Sequence, residues 1–218
     1  MSESRPTQHL HWPTDESARE RVLDASVQTL RAGGLVAFPT DTVYGVAADP
    51  AQPAAVERLF ALKQRPPSKQ IALLASGADQ IERMGLAFPA AAGPLAKRYW
   101  PGPLTLVLRA SDGATVGVRV PDHPLVLALL EHFGSPLATT SANRSSSPST
   151  RTADEVLAQL PNGIDLLLDG GPTPGGVDST VLDLSGPQPT VLRQGAVPRQ
   201  DLERLIGTIQ PPAAERTQ

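Results

Sequence analysis

Short apolar runs alternate with amphipathic helical segments along the chain, and this alternation restricts the fold more than any other feature of the sequence. Leu23, Val27 and Leu30 recur at helical spacing ahead of Gly33-Gly34, a glycine pair that suits the end of a helix. The next residues, Leu35–Phe38, form a short apolar run of the kind that makes a buried strand. Because such segments follow one another without a break in composition, the sequence predicts a single domain of the α/β class.

Further segments of both kinds complete this pattern. Pro53 and Pro124 suit the first turns of two helices, and the second runs through Phe133 to Gly134, which can close it. Thr152 suits the cap of a third helix. Strands are predicted over Leu35–Phe38, Ile71–Ala75, Leu104–Arg109, Val116–Val120, Leu137–Thr140, Ile164–Leu168, Thr180–Leu184 and Thr190–Arg193. Since the last strands lie close together in the sequence, we expect a twisted mixed sheet flanked by helices, which some schemes would class as α+β.

Both ends of the chain lack this periodicity and are polar or rich in proline. We therefore predict an N-terminal extension over residues 1–13, one folded domain over residues 14–209 and a C-terminal tail over residues 210–218.

Charge, cysteine content and hydropathy exclude several functional classes. The formal net charge of −3 does not draw the protein to nucleic acid or to an anionic membrane, and the absence of cysteine excludes disulfides and thiolate chemistry. The longest aliphatic run, Leu125–Leu130, is too short to span a bilayer, and residues 1–21 lack the apolar core of a signal peptide. From these absences we expect a cytoplasmic protein without a membrane contact. The histidines His9, His11, His123 and His132 follow no known ligand spacing, so we expect no transition-metal site.

Three cations lie close together in a segment that contains no acidic residue: Lys63, Arg65 and Lys69. Pro66-Pro67 favours an extended conformation of this segment, which would lower the entropy lost when its side chains are ordered. Fixed cations suit the oxygens of a triphosphate, which carries about four negative charges. Composition alone favours a solvated basic loop instead.

Arg119 lies in a predicted strand in which Val116, Val118 and Val120 alternate with other residues. Gly117 and Arg119 therefore share the opposite face of that strand. A planar guanidinium can hold a carboxylate by two parallel hydrogen bonds. The sequence alone equally allows a surface arginine on an edge strand.

Hydroxyl groups are concentrated in two segments. Pro39–Gly45 places threonine and aspartate side chains between two apolar runs, at a position where the mouth of a sheet often holds ligands. Thr139–Thr152 is rich in serine and threonine, whose hydroxyl groups, together with backbone N–H groups, can bind phosphate. A flexible polar linker is the alternative for the second segment.

Six segments, in their order and spacing, resemble the YrdC/TsaC family. They are Pro39–Gly45, Lys63–Lys69, Gly117–Pro121, Thr139–Asn143, Asp178–Val181 and Leu192–Gly195. The family makes threonylcarbamoyl-adenylate from ATP, L-threonine and bicarbonate, the first step toward N6-threonylcarbamoyladenosine in tRNA. The resemblance implies a nucleotidyltransferase with a YrdC-like fold and a basic groove across its sheet. Because the sequence ends at Gln218, we expect the short, single-domain type.

The same resemblance implies roles for individual residues. Catalytic roles fall to Lys63, Arg65 and Arg119, and L-threonine would contact Thr42, Arg119 and Ser179, with Tyr44 at the pocket wall. ATP would contact Arg65, Lys69, Thr115, Thr139, Ser141, Asn143, Ser149 and Arg193. Mg²⁺ is expected to accompany the triphosphate, although no protein ligand for it is identified. Ser146 stands where the family usually has glycine, which puts the backbone of that turn in question.

The resemblance also implies partners and leaves alternatives. The product would pass to a threonylcarbamoyl transferase complex, and a direct contact with tRNA or another RNA is left open. A non-catalytic RNA-binding module of this fold is one alternative, disfavoured by the net charge of −3 and the aromatic content of 4%. A paralogue with altered chemistry is the other, disfavoured because Lys63, Arg65, Ser141 and Asn143 are all present.

Overall fold

The computed structural model describes residues 6–64 and 70–211. Within these ranges, helices and strands alternate much as the sequence predicts. The strands are β1 (Gln8–His11), β2 (Val36–Phe38), β3 (Gly45–Ala48), β4 (Ala72–Leu74), β5 (Leu104–Arg109), β6 (Thr115–Arg119), β7 (Leu137–Ser141), β8 (Leu166–Asp169), β9 (Thr180–Asp183) and β10 (Thr190–Arg193). The helices are α1 (Glu16–Arg31), α2 (Pro53–Lys63), α3 (Ala78–Arg83), α4 (Ala92–Tyr99), α5 (Pro124–Phe133), α6 (Ala153–Gln159) and α7 (Arg199–Ile206).

The helices begin and end where the local sequence favours it. Asp15 accepts a hydrogen bond from a backbone N–H in the first turn of α1 at 2.8 Å, and Thr152 accepts one from the N–H of Glu155 in α6 at 3.2 Å. Pro124 occupies the first turn of α5, and Gly134 ends that helix with a φ of 85°. The predicted boundaries of α5 and the predicted cap of α6 are therefore confirmed.

The strands of the described ranges form one sheet, in the order β1-β8-β2-β3-β7-β4-β6-β5-β9-β10. Strand β8 is parallel to both β1 and β2, β4 is parallel to β6, and β5 is parallel to β9. The remaining neighbours pair antiparallel. This arrangement confirms the prediction of a mixed sheet within a single α/β domain.

The sheet extends further toward both ends of the chain than the sequence indicated. Gln8–His11, placed in the N-terminal extension, instead forms an edge strand whose Leu10 packs against the core. At the other edge the β9–β10 pairing shifts register between Val191 and Arg193, and Gln210 forms a bridge to β10. Residues 212–218 of the predicted tail lie outside the described residues.

Helices cover the sheet on both faces. A first core lies between α1, α5 and one face of β2 and β8, with Leu30 and Phe38 fully buried. A second lies on the opposite face beneath α2 and α6, where Leu59 is fully buried. A third packs α4 and α7 against β5, β6 and β9. No helix in the described ranges combines the length and apolar composition that crossing a bilayer would need.

The third core explains why a cavity forms on the other side of the same strands. Leu104, Leu106 and Leu108 of β5 point into this core. Because side chains alternate along a strand, Thr105 and Val107 point the other way. They meet residues of β4, β6 and β9 there, and together these residues form the floor of a polar cavity.

Candidate functional site

A cavity of about 740 Å³ opens above strands β4, β5, β6 and β9. Ala72, Thr105, Gly117 and Val181 belong to its floor, and its walls come from the 40–45 segment, the end of β7 and the loops around Ser179 and Leu192. Cavities that bind small molecules are typically of this size, roughly 300–1,000 Å³.

The cavity brings together most of the residues that the sequence assigned to a site. The predicted residues in its lining are Thr42, Thr115, Arg119, Thr139, Ser141, Ser179 and Arg193, and Tyr44 also contributes to the wall. The described residues Lys63, Asn143 and Ser149 do not line it, but each is hydrogen-bonded to a residue that does. Arg65 and Lys69 lie outside the described residues, so their roles stay predictions.

Arg119 is buried at the cavity floor and held on three sides. Its Nε donates to the carbonyl of Gly102 at 2.9 Å, Nη1 donates to Thr42 Oγ1 at 3.0 Å, and Nη2 donates to Asp41 Oδ1 at 2.5 Å. Burial lowers the pKa of Arg119, an effect opposed by Asp41, and a guanidinium stays protonated even so. The alternation along β6 is confirmed, because Gly117 and Arg119 both line the cavity.

The turn before β3 is built by its own hydroxyl groups. Thr40 Oγ1 donates to the carbonyl of Val43 at 2.7 Å and lies 2.9 Å from Thr42 Oγ1. The backbone N–H groups of Thr42 and Val43 donate to the same Thr40 oxygen. These bonds fix Thr42 beside Arg119, so that a hydroxyl and a guanidinium face the same space.

A second polar network closes the opposite wall. Ser179 Oγ lies 2.9 Å from Thr105 Oγ1 and accepts from Arg193 Nη2 at 3.0 Å. Asp178 lies between Arg193, at 3.6 Å, and Ser149, whose hydroxyl donates to it at 3.1 Å. Ser149 is therefore joined to the cavity lining through Asp178, and its contact with ATP stays a prediction.

Lys63 ties helix α2 to the end of β7. Its ammonium group donates to the backbone carbonyl of Ser141, to Ser141 Oγ at 3.2 Å and to Asn143 Oδ1 at 3.0 Å. Only 2% of the residue is exposed. In the described structure Lys63 positions the Ser141–Asn143 loop, and a catalytic role for it stays a prediction.

Ser146 adopts the backbone conformation that glycine favours. Its φ of 69° lies in the left-handed region, which costs a non-glycine residue about 1–2 kcal/mol. The turn that the sequence put in question therefore contains a left-handed residue, at which serine is strained.

Tyr44 contributes to the cavity wall, but its hydroxyl faces away from the cavity lining. That hydroxyl donates to the carbonyl of Gly171 at 2.9 Å and to Asp169 Oδ1 at 3.3 Å. Burial is the main cause of the strongly raised pKa of Tyr44, so the phenol is neutral at physiological pH.

The sequence assigned no individual role to four polar residues at this site: Thr40, Asp41, Thr105 and Asp178. A buried arginine needs a carboxylate partner, and Asp41 is the acid in the Pro39–Gly45 segment, so that signal was present. Thr105 alternates with core-facing leucines in β5. The alternation of side chains along a strand, which placed Arg119, could therefore have placed Thr105 on the cavity face as well.

The described part of the lining is balanced in charge. It includes Arg119 and Arg193 together with Asp178 and Asp183. Of these carboxylates, Asp178 is bound by Ser149, and Asp183 accepts from Ser185. Within the described residues no group of three or more potential metal ligands lines the cavity, so these residues offer no evident cage for Mg²⁺.

Comparison with known proteins gives this geometry a context. The family model of the Sua5/YciO/YrdC proteins, described as telomere recombination, matches residues 28–195. The chain belongs to the Sua5/YciO/YrdC family.

Two curated members of the family show how the chain relates to longer and shorter relatives. It is 39% identical over 206 residues to the threonylcarbamoyl-AMP synthase of Pyrococcus abyssi, covering 88% of this chain and 61% of that protein. It is 38% identical over 199 residues to the threonylcarbamoyl-AMP synthase of Alkalilimnicola ehrlichii, covering 86% of this chain and 99% of that protein. The chain thus spans less than two thirds of the longer relative and nearly all of the shorter one.

The fold matches solved structures of the family as well. The crystal structure of P. abyssi Sua5 complexed with L-threonine superposes with a TM-score of 0.88 at 36% identity, covering 98% of this chain and 64% of that one. The structure of Escherichia coli YciO superposes with a TM-score of 0.77 at 27% identity. Together these matches confirm the YrdC-like fold that the sequence predicted.

Proposed function

We propose that this chain is a threonylcarbamoyl-AMP synthase, a nucleotidyltransferase that converts ATP, L-threonine and bicarbonate to threonylcarbamoyl-AMP and pyrophosphate. One observation carries the proposal: Thr42, Arg119 and Ser179 meet at one cavity, in a chain similar to a Sua5 protein solved with L-threonine. The product would serve N6-threonylcarbamoyladenosine formation in tRNA.

Arg119 and Thr42 form the threonine end of the cavity in this proposal. The carboxylate of L-threonine would accept from guanidinium N–H groups of Arg119, and Ser179 would bind a polar group of the same substrate. The site would then hold the amino group of threonine toward bicarbonate or CO₂. Attack of that neutral amine on CO₂ would form the carbamate with loss of a proton, whereas attack on bicarbonate would form it with loss of water.

The nucleotide would lie toward β7 and the Arg193 wall. Thr115, Thr139, Ser141 and Arg193 line this part of the cavity and offer uncharged hydroxyl groups and one cation. A carbamate oxygen would attack the α-phosphorus of ATP, and the bond to the bridging oxygen of pyrophosphate would break. Positioning and electrostatic stabilisation carry such a transfer, so no protein nucleophile is needed.

Arg65 and Lys69 would neutralise the β- and γ-phosphates in this arrangement. Their sequence context supports the role, because Lys63–Lys69 contains three cations and no acid. In this proposal the groove would owe its basic character to these residues, since the described lining is balanced in charge. Mg²⁺ would arrive with the triphosphate and would add further neutralisation.

Transfer of the product to a threonylcarbamoyl transferase complex follows from the same proposal, and a cytoplasmic location stays a prediction from the sequence. A direct RNA contact is left open. The cavity is lined by buried, hydrogen-bonded polar groups rather than by exposed aromatic rings. This lining supports a catalytic site over a non-catalytic RNA-binding module.

Omission of each substrate in turn tests the proposal. Purified protein supplied with Mg-ATP should release pyrophosphate only when L-threonine and bicarbonate are both present. Chromatography of the products should show threonylcarbamoyl-AMP, or AMP from its hydrolysis. Pyrophosphate release that ignores threonine, or formation of ADP and phosphate, would contradict the assignment.

A further inference from the structure

Three potential metal ligands converge at the edge of the sheet, outside the cavity lining. His9 Nε2 lies 3.4 Å from Asp169 Oδ2, and His11 Nδ1 lies 3.3 Å from the same oxygen. One ligand atom from each of the three residues lies within 4.8 Å of the others. The two imidazole rings are neighbours, with their centroids 4.9 Å apart.

The backbone of the sheet places these side chains together. His9 and His11 are two residues apart in β1, so they point to the same face of the strand, while Leu10 between them packs into the core. The parallel pairing of β1 with β8 sets His11 directly opposite Asp169. All three ligands therefore stand on paired strands, where their relative positions are fixed.

The carboxylate of Asp169 is oriented by groups on its other side. Its Oδ1 accepts from the backbone N–H of Gly171 at 2.9 Å and from the hydroxyl of Tyr44 at 3.3 Å. These bonds leave Oδ2 turned toward the two imidazoles. Metal sites commonly hold a ligating carboxylate by hydrogen bonds of this kind.

The distances distinguish this cluster from an ordinary histidine–carboxylate pair. His132 Nε2 lies 2.7 Å from Asp24 Oδ1, a normal hydrogen-bond length. The two separations at Asp169 are longer than that. Ligand atoms bound tetrahedrally at about 2.0–2.2 Å from a zinc ion stand roughly 3.3–3.6 Å from one another. The contacts of Asp169 Oδ2 with His9 and His11 fall in or close to this range.

We propose that His9, His11 and Asp169 bind a first-row transition-metal ion, with Zn²⁺ as the ion that this ligand set fits. Two imidazole nitrogens and one carboxylate oxygen are ligands that Zn²⁺ takes, and a water molecule completes a tetrahedron on the exposed side. The bound ion clamps the edge strand β1 to β8, so its expected effect is on the stability of that edge. The proposal does not depend on the reaction at the cavity.

Metal titration of the tag-free, full-length chain after chelator treatment tests the site. Calorimetry with Zn²⁺ should show one equivalent bound, and Co²⁺ used as a spectroscopic probe should give the visible absorption bands of a tetrahedral ion. His9→Ala and His11→Ala should each weaken Zn²⁺ binding by at least about 10-fold, because each removes a direct ligand.

His132→Ala is the matched control, because His132 also lies beside an aspartate but belongs to no group of three potential ligands among the described residues. It should leave both Zn²⁺ affinity and the Co²⁺ spectrum unchanged. His11 has an 80% exposed side chain, so its replacement should not unfold the protein, and circular dichroism checks this. Absence of a one-equivalent site, binding that survives in His11→Ala, or binding lost equally in His132→Ala would each overturn the proposal.

Discussion

The guanidinium of Arg119 donates to the carboxylate of Asp41, so the cation at the cavity floor is neutralised from within the chain. The side chains of both residues are largely buried, with exposed fractions of 7% and 12%. Each group depends on the other because a buried charge without a partner is costly. This pair therefore serves stability as well as the proposed substrate site.

Replacement of Asp41 by alanine should expose that dependence. We expect Asp41→Ala to lower the free energy of unfolding by about 3 kcal/mol, because it leaves the buried Arg119 cation unpaired. Denaturant titration measures the change. The same replacement in an Arg119→Met background should cost much less, and additive losses would contradict the coupling. Arg204→Ala, which removes an exposed ion pair with Asp201, should cost less than about 1 kcal/mol.

Arg119→Lys tests the proposed contact with the threonine carboxylate. Lysine keeps the charge but loses the planar fork, so the KM for L-threonine should rise by at least about 10-fold, equivalent to about 1.4 kcal/mol, with a smaller change for ATP. Because Arg119 also holds Gly102 and Asp41, the melting temperature should fall as well. Steady-state kinetics below that temperature separate the two effects.

Arg193→Lys provides the contrast for that experiment, because Arg193 is assigned to the nucleotide. It should raise the KM for ATP more than the KM for L-threonine. An unchanged threonine KM and kcat in folded Arg119→Lys would remove Arg119 from the substrate site.

Lys63→Met should loosen the loop that follows β7. The substitution keeps an unbranched side chain but removes the donor to Ser141 and Asn143, so we expect a loss of about 1–3 kcal/mol in unfolding free energy. Because Ser141 lines the cavity, the KM for ATP should rise too. Lys97→Met, on an exposed face of α4, should change stability by less than about 0.5 kcal/mol. Equal stability of the two variants would show that the Lys63 contacts contribute little.

Ser146→Gly should stabilise the protein by about 0.5–1 kcal/mol, because glycine adopts a left-handed φ without the strain that serine has there. The higher conformational entropy of the unfolded glycine chain offsets part of this gain. Ser147→Gly is the control: Ser147 has no positive φ, so glycine there should lower stability. Thermal unfolding of both variants measures the difference. A loss of stability in Ser146→Gly would show that the turn does not strain the serine.

The sequence predicted the fold where residue type and spacing act locally. Helix α5 illustrates this, because Pro124 and Gly134 mark its two ends. Strand β1 was missed because four residues, two of them histidine, carry too little apolar periodicity to register as a strand. Its pairing with β8 is a long-range contact, and no local pattern encodes it.

The residues of the candidate site were likewise predicted only where a local pattern places them. The alternation of side chains along β6 was enough to place Arg119 on the face opposite the valines, which is the cavity face. The partner of Lys63 could not be found from spacing, because Ser141 and Asn143 approach it only after β7 enters the sheet. For the same reason the histidines of β1 matched no metal-ligand spacing, since Asp169 joins them from a distant strand. The roles of Arg65 and Lys69 stay predictions.

The two margins of the sheet also limit what can attach to it. An open sheet exposes unpaired backbone groups at its edges, and a long, straight edge strand recruits strands from other molecules. Here one margin is the four-residue β1, and the other is β10, interrupted by its register shift and bridged by Gln210. Within the described residues both margins are therefore poor templates for extending the ten-stranded sheet with a second chain, and this disfavours edge-to-edge aggregation.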